Sequence, residues 1–152
     1  MKVVYYPGCS LKNSYPEFEK STIEACKELG IELEEVPEWN CCGVNFSLSD
    51  NIMRHLGAVR TFLNVQEEMG DVGNKIVTLC SMCYNVLKRV NVTLKEERDT
   101  LENTNKFIED FPNYRADLEI VHFLQLLKEE IGFDALKKKV KNPLEGVKIA
   151  PY

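Results

Sequence analysis

The sequence predicts an α/β domain with a mainly parallel sheet of about four strands flanked by helices. Two observations indicate this class. Short β-rich runs alternate with longer segments whose apolar residues recur at helical spacing, which implies parallel pairing through right-handed crossovers. The 152 residues, 44% apolar and 28% charged, suit one soluble globular domain with a real core.

The first elements follow directly from local signals. Residues 2–6 form a β-rich run. Ser14, with Glu17 three residues later, predicts a capped helix start, and Gly30 predicts the end of that helix. Residues 31–36 alternate in polarity as a second strand would.

The later elements follow the same alternation. Segment 95–111 is polar and helix-permitting, and it predicts a long projecting helix or a helical hairpin. The remaining predicted strands are 75–79, 118–121 and 147–150, and the remaining predicted helices are 49–69, one starting near 81, 122–131 and 134–140.

Charge and hydropathy exclude several function classes. The net charge of -5 disfavours a nucleic-acid surface, and the basic run at 137–141 is interpreted as a solvated helix end. No signal peptide is evident, and no run approaches the roughly 18 apolar residues that span a bilayer. We therefore expect a cytoplasmic protein with no membrane span and no nucleic-acid partner.

Five of the six cysteines fall where strands end. Cysteines in a reducing cytosol are more often metal ligands or redox thiols than structural disulfides. Loops beyond the carboxyl ends of parallel strands gather at one sheet edge, so these thiols should converge there. The predicted ligands, in loops at this edge, are Cys9, Cys41, Cys42, Cys80 and Cys83.

The adjacent pair Cys41 and Cys42 favours a cluster of several irons over one zinc ion. Neighbouring side chains in extended backbone point in opposite directions, and five thiolates exceed the four ligands of a structural zinc site. Gly43 permits the backbone to turn close to inorganic sulfur. Two alternatives remain open: a zinc-stabilised docking module, and a metal-free dithiol pair at Cys80 and Cys83.

Other chemically notable residues are assigned structural roles. Cys26 should be a buried core residue on the apolar helix face that also carries Phe18. Neither His55 nor His122 is predicted to be a ligand. Trp39 and Tyr84 flank ligand cysteines and are expected to pack around the site.

The cysteine spacing resembles the cysteine-rich CCG domain family. Thirty-one residues separate Cys9 from the Cys41-Cys42-Gly43 motif, and 36 more precede the Cys80–Cys83 pair. The lead-in Tyr6-Pro7-Gly8-Cys9 is similar to the B subunit of heterodisulfide reductase in particular. The ending at 147–152 resembles the start of another such repeat.

This resemblance implies a first CCG iron–sulfur domain at 1–146 and the start of a second, missing repeat at 147–152. It implies a noncubane 4Fe–4S cluster on the five cysteines, with zinc an alternative occupant in protein isolated in air. It also implies reduction of a small disulfide of the coenzyme M/coenzyme B type, with the ferredoxin-like and flavin-containing subunits of the same complex as partners. The alternative is an electron-relay or docking module of a lactate, glycolate or succinate oxidoreductase complex.

Overall fold

Four parallel strands form one sheet in the computed structural model, which describes residues 1–44, 53–109 and 111–150. The strands are β1 (Lys2–Tyr6), β2 (Glu32–Glu35), β3 (Lys75–Thr78) and β4 (Glu119–His122). Their order across the sheet is β2-β1-β3-β4, and every neighbouring pair is parallel. The predicted fold class is confirmed.

Helices connect the strands and cover both faces of the sheet. A π-helical segment, Leu127–Ile131, continues directly from α6. The helices are α1 (Cys9–Asn13), α2 (Pro16–Leu29), α3 (Met53–Glu68), α4 (Ser81–Glu96), α5 (Arg98–Phe107), α6 (Phe123–Leu126) and α7 (Phe133–Lys139).

The core lies on both sides of the sheet because strand side chains alternate between faces. Ile76 and Ile120 belong to one cluster, with Phe62 of α3 and Leu87 of α4. The opposite face forms a second cluster, which contains Val3, Val77 and Val121 with Cys26 of α2 and Leu126 of α6. Full burial of each large side chain contributes about 1.5–3 kcal/mol, so both faces anchor the strand ends that carry the site.

Strand register brings three carboxyl ends to the same level. Tyr6 is paired with Thr78, and Thr78 is paired with His122. Each of the three is the last residue of its strand. The segments that follow β1 and β3, which carry Cys9 and Cys80, therefore leave the sheet side by side.

The predicted start of the first long helix is wrong. Tyr15, not Ser14, occupies the N-cap position of α2, its side chain makes no capping bond, and Pro16 opens the helix. A short helix, α1, occupies Cys9–Asn13 and leaves Ser14 as its C-cap. Phe18 is 54% exposed and does not share the buried face of Cys26, because this face runs through Thr22 instead.

Three other predicted elements need correction or refinement. Residues 147–150 form no strand; they are exposed and irregular, and no strand of the sheet pairs with them. Segment 95–111 does not project as one helix: α4 ends at Glu96, and α5 packs back on the core through partly buried Leu101. The predicted helix at 49–69 is seen from 53 onward, and residues 49–52 lie outside the described residues.

Among the helices that are described, none has the length and apolar character needed to cross a membrane.

Candidate metal centre

Cys9 is the first residue of α1 and is exposed. Gly8 precedes it with φ 75° and ψ 163°, a backbone conformation that essentially only glycine adopts. The side-chain amide of Asn13 donates to the Cys9 carbonyl at 2.9 Å. The Cys9 sulfur lies 4.0 Å from the Cys41 sulfur, so the first and second connecting segments meet there.

The segment that leads into Cys41 is held against α3 by polar contacts. The Thr61 hydroxyl accepts from the Asn40 backbone N–H at 3.0 Å and donates to the Gly57 carbonyl at 3.1 Å. The Asn64 amide donates to the carbonyls of residues 37 and 38, at 3.1 Å each. The Tyr6 hydroxyl donates to the Asn40 carbonyl at 2.7 Å.

Gly57 allows this close approach. A Cβ added at Gly57 would lie 2.7 Å from the Cys41 carbonyl oxygen, closer than real Cβ atoms come. We call Tyr6, Gly57, Thr61 and Asn64 the loop clamp. It fixes the backbone on which Cys41 and Cys42 lie.

Cys80 and Cys83 lie at the start of α4. Cys80 is its N-cap residue, in an extended conformation, and its carbonyl accepts from the Tyr84 N–H at 2.8 Å. Cys83 is buried in the first turn, where free backbone N–H groups and the helix dipole favour negative charge on sulfur. A Cβ added at Gly8 would lie 3.0 Å from the Cys83 sulfur, so the first and third segments also meet.

The five predicted thiols lie close together at this edge of the sheet. The Cys9 and Cys41 sulfurs are 4.0 Å apart, and buried Cys42 and Cys83 belong to one core cluster against which Cys80 packs. Within the ranges that the structure describes, no three His, Cys, Asp or Glu side chains are grouped as the ligands of a single ion would be. The thiols therefore share one site but spread over several positions within it.

Hydrogen bonds between the buried thiols polarise them. The pKa of Cys42 is lowered to about 6 because Cys83 donates to its sulfur, with the Val44 N–H assisting and burial opposing. The same bond, together with burial, raises the pKa of Cys83. One sulfur of this pair is thus prepared as a thiolate while the other retains its proton.

The neighbouring cysteines also shift the pKa values of Cys41 and Tyr6. The Gly43 N–H lowers the pKa of Cys41, but burial and the charge of Cys9 outweigh it, so the net shift is upward. Burial raises the pKa of Tyr6, and the charges of four cysteines, with Cys83 the strongest, raise it further. Tyr6 therefore stays protonated and lies within electrostatic reach of both loops and of α4.

The family comparison adds to this geometry. The cysteine-rich CCG domain family matches residues 3–88, which include all five of these thiols. The chain belongs to the CCG domain family.

Curated relatives of this CCG chain are subunits of oxidoreductases. It is 30% identical over 149 residues to the 8-methylmenaquinol:fumarate reductase membrane anchor subunit of Wolinella succinogenes, covering 97% of this chain and 50% of the relative. It is 28% identical over 148 residues to the ferredoxin:CoB–CoM heterodisulfide reductase B subunit of Methanosarcina mazei, covering 95% and 48%. A protein of Archaeoglobus profundus described as like the heterodisulfide reductase B subunit is 23% identical over 152 residues, covering 99% and 50%.

The CCG chain spans about half the length of these relatives. The relatives are named for two different reductases, a fumarate reductase and a heterodisulfide reductase, so the similarity by itself does not distinguish among substrates.

The residues of the CCG site fit a cluster of several irons. Thiolate sulfur is the donor that iron–sulfur clusters use. Gly8 leaves open the space beside Cys83 that a Cβ would enter, and the α4 N-terminus supplies N–H groups toward that space. A distributed series of thiols gives such a group several attachment points.

Sequence patterns did not reveal the residues that position the thiols. Gly57, Thr61 and Asn64 lie on one face of α3 at helical spacing, and a Gly-x-x-x-Thr pattern inside an amphipathic helix was the available signal. Lys12 was also missed. Its ammonium lies 3.0 Å from Glu19 and 2.6 Å from Glu35, which accepts from the Trp39 indole at 3.2 Å.

The predicted structural residues behave as expected. Cys26 is 1% exposed in the second core cluster. The Trp39 ring packs edge-on against Tyr6 with centroids 5.7 Å apart. The His122 ring packs edge-on against Tyr84, also at 5.7 Å, and its Nδ1 accepts from the Leu124 N–H at 3.2 Å to cap α6.

Proposed function

We propose that this chain is an iron–sulfur subunit of a heterodisulfide reductase-type oxidoreductase. The five thiols would hold a noncubane 4Fe–4S cluster through Cys9, Cys41, Cys42, Cys80 and Cys83. The observation that carries the proposal is the meeting of three connecting segments at one sheet edge: the Cys9 and Cys41 sulfurs lie 4.0 Å apart, and the Cys83 sulfur lies 3.0 Å from the Cβ position of Gly8.

The protein's own residues would bind and orient the group. The loop clamp fixes the backbone of the Cys41–Cys42 pair, and Gly8 keeps the space between α1 and Cys83 open. The buried side of the site, with Cys42 and Cys83, excludes water, whereas Cys9 and Cys41 are exposed and face the solvent from which a substrate would arrive. When bound, such a cluster supplies one-electron chemistry at sulfur.

For the substrate we propose a small disulfide of the coenzyme M/coenzyme B type. The similarity to relatives of the heterodisulfide reductase B subunit supports this choice. In the same proposal the partners are the ferredoxin-like and flavin-containing subunits of one complex, the location is cytoplasmic, and residues 147–152 lead into a second CCG repeat. Disulfide reduction is proposed for the assembled complex rather than for this domain alone.

A second function is favoured by a specific relative. The similarity to a protein of a fumarate reductase favours an electron-relay or docking module of a lactate, glycolate or succinate oxidoreductase complex. A single structural zinc ion is less well supported, because it takes four ligands and five thiols converge here.

The test of the cofactor is anaerobic reconstitution of the full chain with iron and sulfide. We expect brown protein with about four irons and matching acid-labile sulfide per chain. Cys26→Ala serves as the matched control, since it removes a buried thiol outside the site. One equivalent of zinc without sulfide, or colourless protein, would contradict the proposal.

The two functions are then separated with the loaded protein. Adding coenzyme M or coenzyme B thiol should change the electron paramagnetic resonance spectrum of the oxidised cluster if a substrate sulfur binds there. A spectrum that does not respond to either thiol, in protein whose cluster still accepts electrons, would favour the relay function.

A further inference from the structure

Two buried polar atoms near the cysteine site have no hydrogen-bond partner in the part of the chain that the structure covers. They are the Thr78 hydroxyl oxygen and the His122 Nε2. More than nine in ten buried polar groups have a partner, and leaving one unsatisfied costs about 1–3 kcal/mol. Two such atoms on neighbouring strands indicate that an acceptor or donor belongs between them.

The two residues lie side by side at the carboxyl edge of the sheet. Thr78 ends β3 and His122 ends β4, and the two are register partners. Register partners in a parallel sheet project on the same face, and Tyr6 is the next member of this row. Tyr6 belongs to the core cluster that also contains Cys42 and Cys83.

One end of the row borders the sulfur site, and the other end contacts the first turn of α4. The ideal Cβ position at Gly8 lies 3.3 Å from the Tyr6 ring and 3.0 Å from the Cys83 sulfur. At the other end, His122 packs against the ring of Tyr84, the residue after Cys83. Thr78 lies between them in the row and two residues before Cys80.

The chemistry of His122 makes it a donor. Its Nδ1 accepts from the Leu124 backbone N–H, so in the neutral ring the proton is on Nε2. The Nε2–H therefore points into a buried region and requires an acceptor there. The Thr78 hydroxyl can rotate to donate toward the same acceptor.

We propose that His122 and Thr78 donate hydrogen bonds to a sulfur atom of the cluster held by the five cysteines. The inference rests on the proposed function, because that cluster supplies the acceptor. Both are positioning residues that act on the bound group rather than ligands. Such donors stabilise the more negative, reduced form of a cluster and so raise its midpoint potential.

Two substitutions remove the donors while preserving the surrounding structure. His122→Asn keeps an acceptor at the α6 cap, since Asn is among the best N-cap residues, but it lacks the distant N–H. Thr78→Val keeps the shape and removes the hydroxyl. Thr22→Val is the matched control, because the Thr22 hydroxyl is also buried but donates to the Phe18 carbonyl at 2.9 Å on the remote helix α2.

The experiment measures the midpoint potential of the reconstituted cluster and the melting temperature of the metal-free chain. We expect both His122→Asn and Thr78→Val to shift the potential to more negative values. Thr78→Val should also raise the melting temperature of the metal-free chain, because it removes an unsatisfied buried group. Thr22→Val should lower the melting temperature and leave the potential unchanged.

The failures are distinguishable. If the wild-type chain takes up no iron and sulfide, the proposed function fails and this inference fails with it. If wild type and variants all load but their potentials agree, the inference alone is overturned. A lower melting temperature in both site variants without a shift in potential would show that the two residues are purely structural.

Discussion

Cys26 and Cys83 are both almost fully buried, yet they lie in opposite chemical environments. Cys26 is 1% exposed on the α2 side of the sheet, where burial alone raises its pKa to about 11. Cys83 is 4% exposed at the carboxyl edge, where its thiol bonds to Cys42 and contacts Cys80. Burial therefore does not distinguish a core cysteine from a site cysteine. The polar groups around the thiol distinguish them.

The two regions also differ in how their surroundings are built. Cys26 packs among aliphatic side chains such as Val3, Ile31 and Leu126, which offer no hydrogen bonds. The sulfur site is bounded by backbone N–H groups, a glycine in a conformation that residues with a Cβ rarely adopt, and the loop clamp. A change of volume in the apolar region costs stability, whereas at the site the positions of individual atoms decide whether a metal group can bind.

The largest effect should appear when one cysteine of each kind is replaced by alanine. Cys83→Ala should abolish stable cluster binding, because it removes the thiol that joins Cys42 to Cys80. Cys26→Ala should retain full iron and sulfide and lose about 1 kcal/mol of stability from the small cavity. Iron and acid-labile sulfide analysis with denaturant unfolding checks both variants, and equal loss of iron in the two would erase the distinction.

A smaller but still large effect is expected at Gly8. Gly8→Ala should lose about 1–3 kcal/mol from backbone strain and also lose most of its iron, because the added Cβ would crowd the Cys83 sulfur. Gly132→Ala is the matched control: φ is 80° and ψ is 146° at the start of α7, with nothing within 4 Å of an added Cβ. The control should show the strain without the loss of iron.

Gly57 tests the other wall of the site. Alanine inside α3 would ordinarily favour the helix by about 1 kcal/mol, but here its Cβ would collide with the Cys41 carbonyl. Gly57→Ala should therefore weaken cluster binding and lower the melting temperature. Gly70→Ala, which meets only the Gln66 carbonyl at 3.9 Å, should bind iron normally.

The smallest effect is expected at Lys12. Its ion pairs with Glu19 and Glu35 join α1 to the end of β2, and the side chain is 34% exposed. Lys12→Met should destabilise the protein by up to about 1 kcal/mol, which denaturant unfolding measures. Lys27→Met, which removes a more exposed pair with Glu24, should leave the free energy of unfolding nearly unchanged.

The sheet, the convergence of the thiols and the burial of Cys26 in the core could all be predicted from the sequence. The alternation of strands with helices and the cysteines at strand ends are both visible in the sequence itself, and neither depends on contacts between distant segments. The positions of Cys9 and Cys41 at one edge needed only the rule that parallel strands end together. The metal-ligand role of each of the five cysteines stays a prediction.

What could not be predicted depended on geometry between distant segments. Ser14 is a residue type that favours helix starts, but in the structure it is the C-cap of the preceding helix α1. Helix α2 begins at Pro16 instead. Residues 147–150 have strand composition, yet they have no strand to pair with in the sheet. The role of Gly57 depends on a carbonyl sixteen positions earlier in the chain, so the Gly-x-x-x-Thr pattern marks a special position without saying which segment approaches it.

The loop clamp also determines how the site would be assembled. The helix that packs Ala58 and Phe62 into the core is the one that holds the backbone before Cys41. Folding of the core therefore positions that backbone before any metal arrives. Incoming iron and sulfide would meet Cys41 and Cys42 on a backbone that is already ordered, so less of the binding free energy is consumed in ordering this segment.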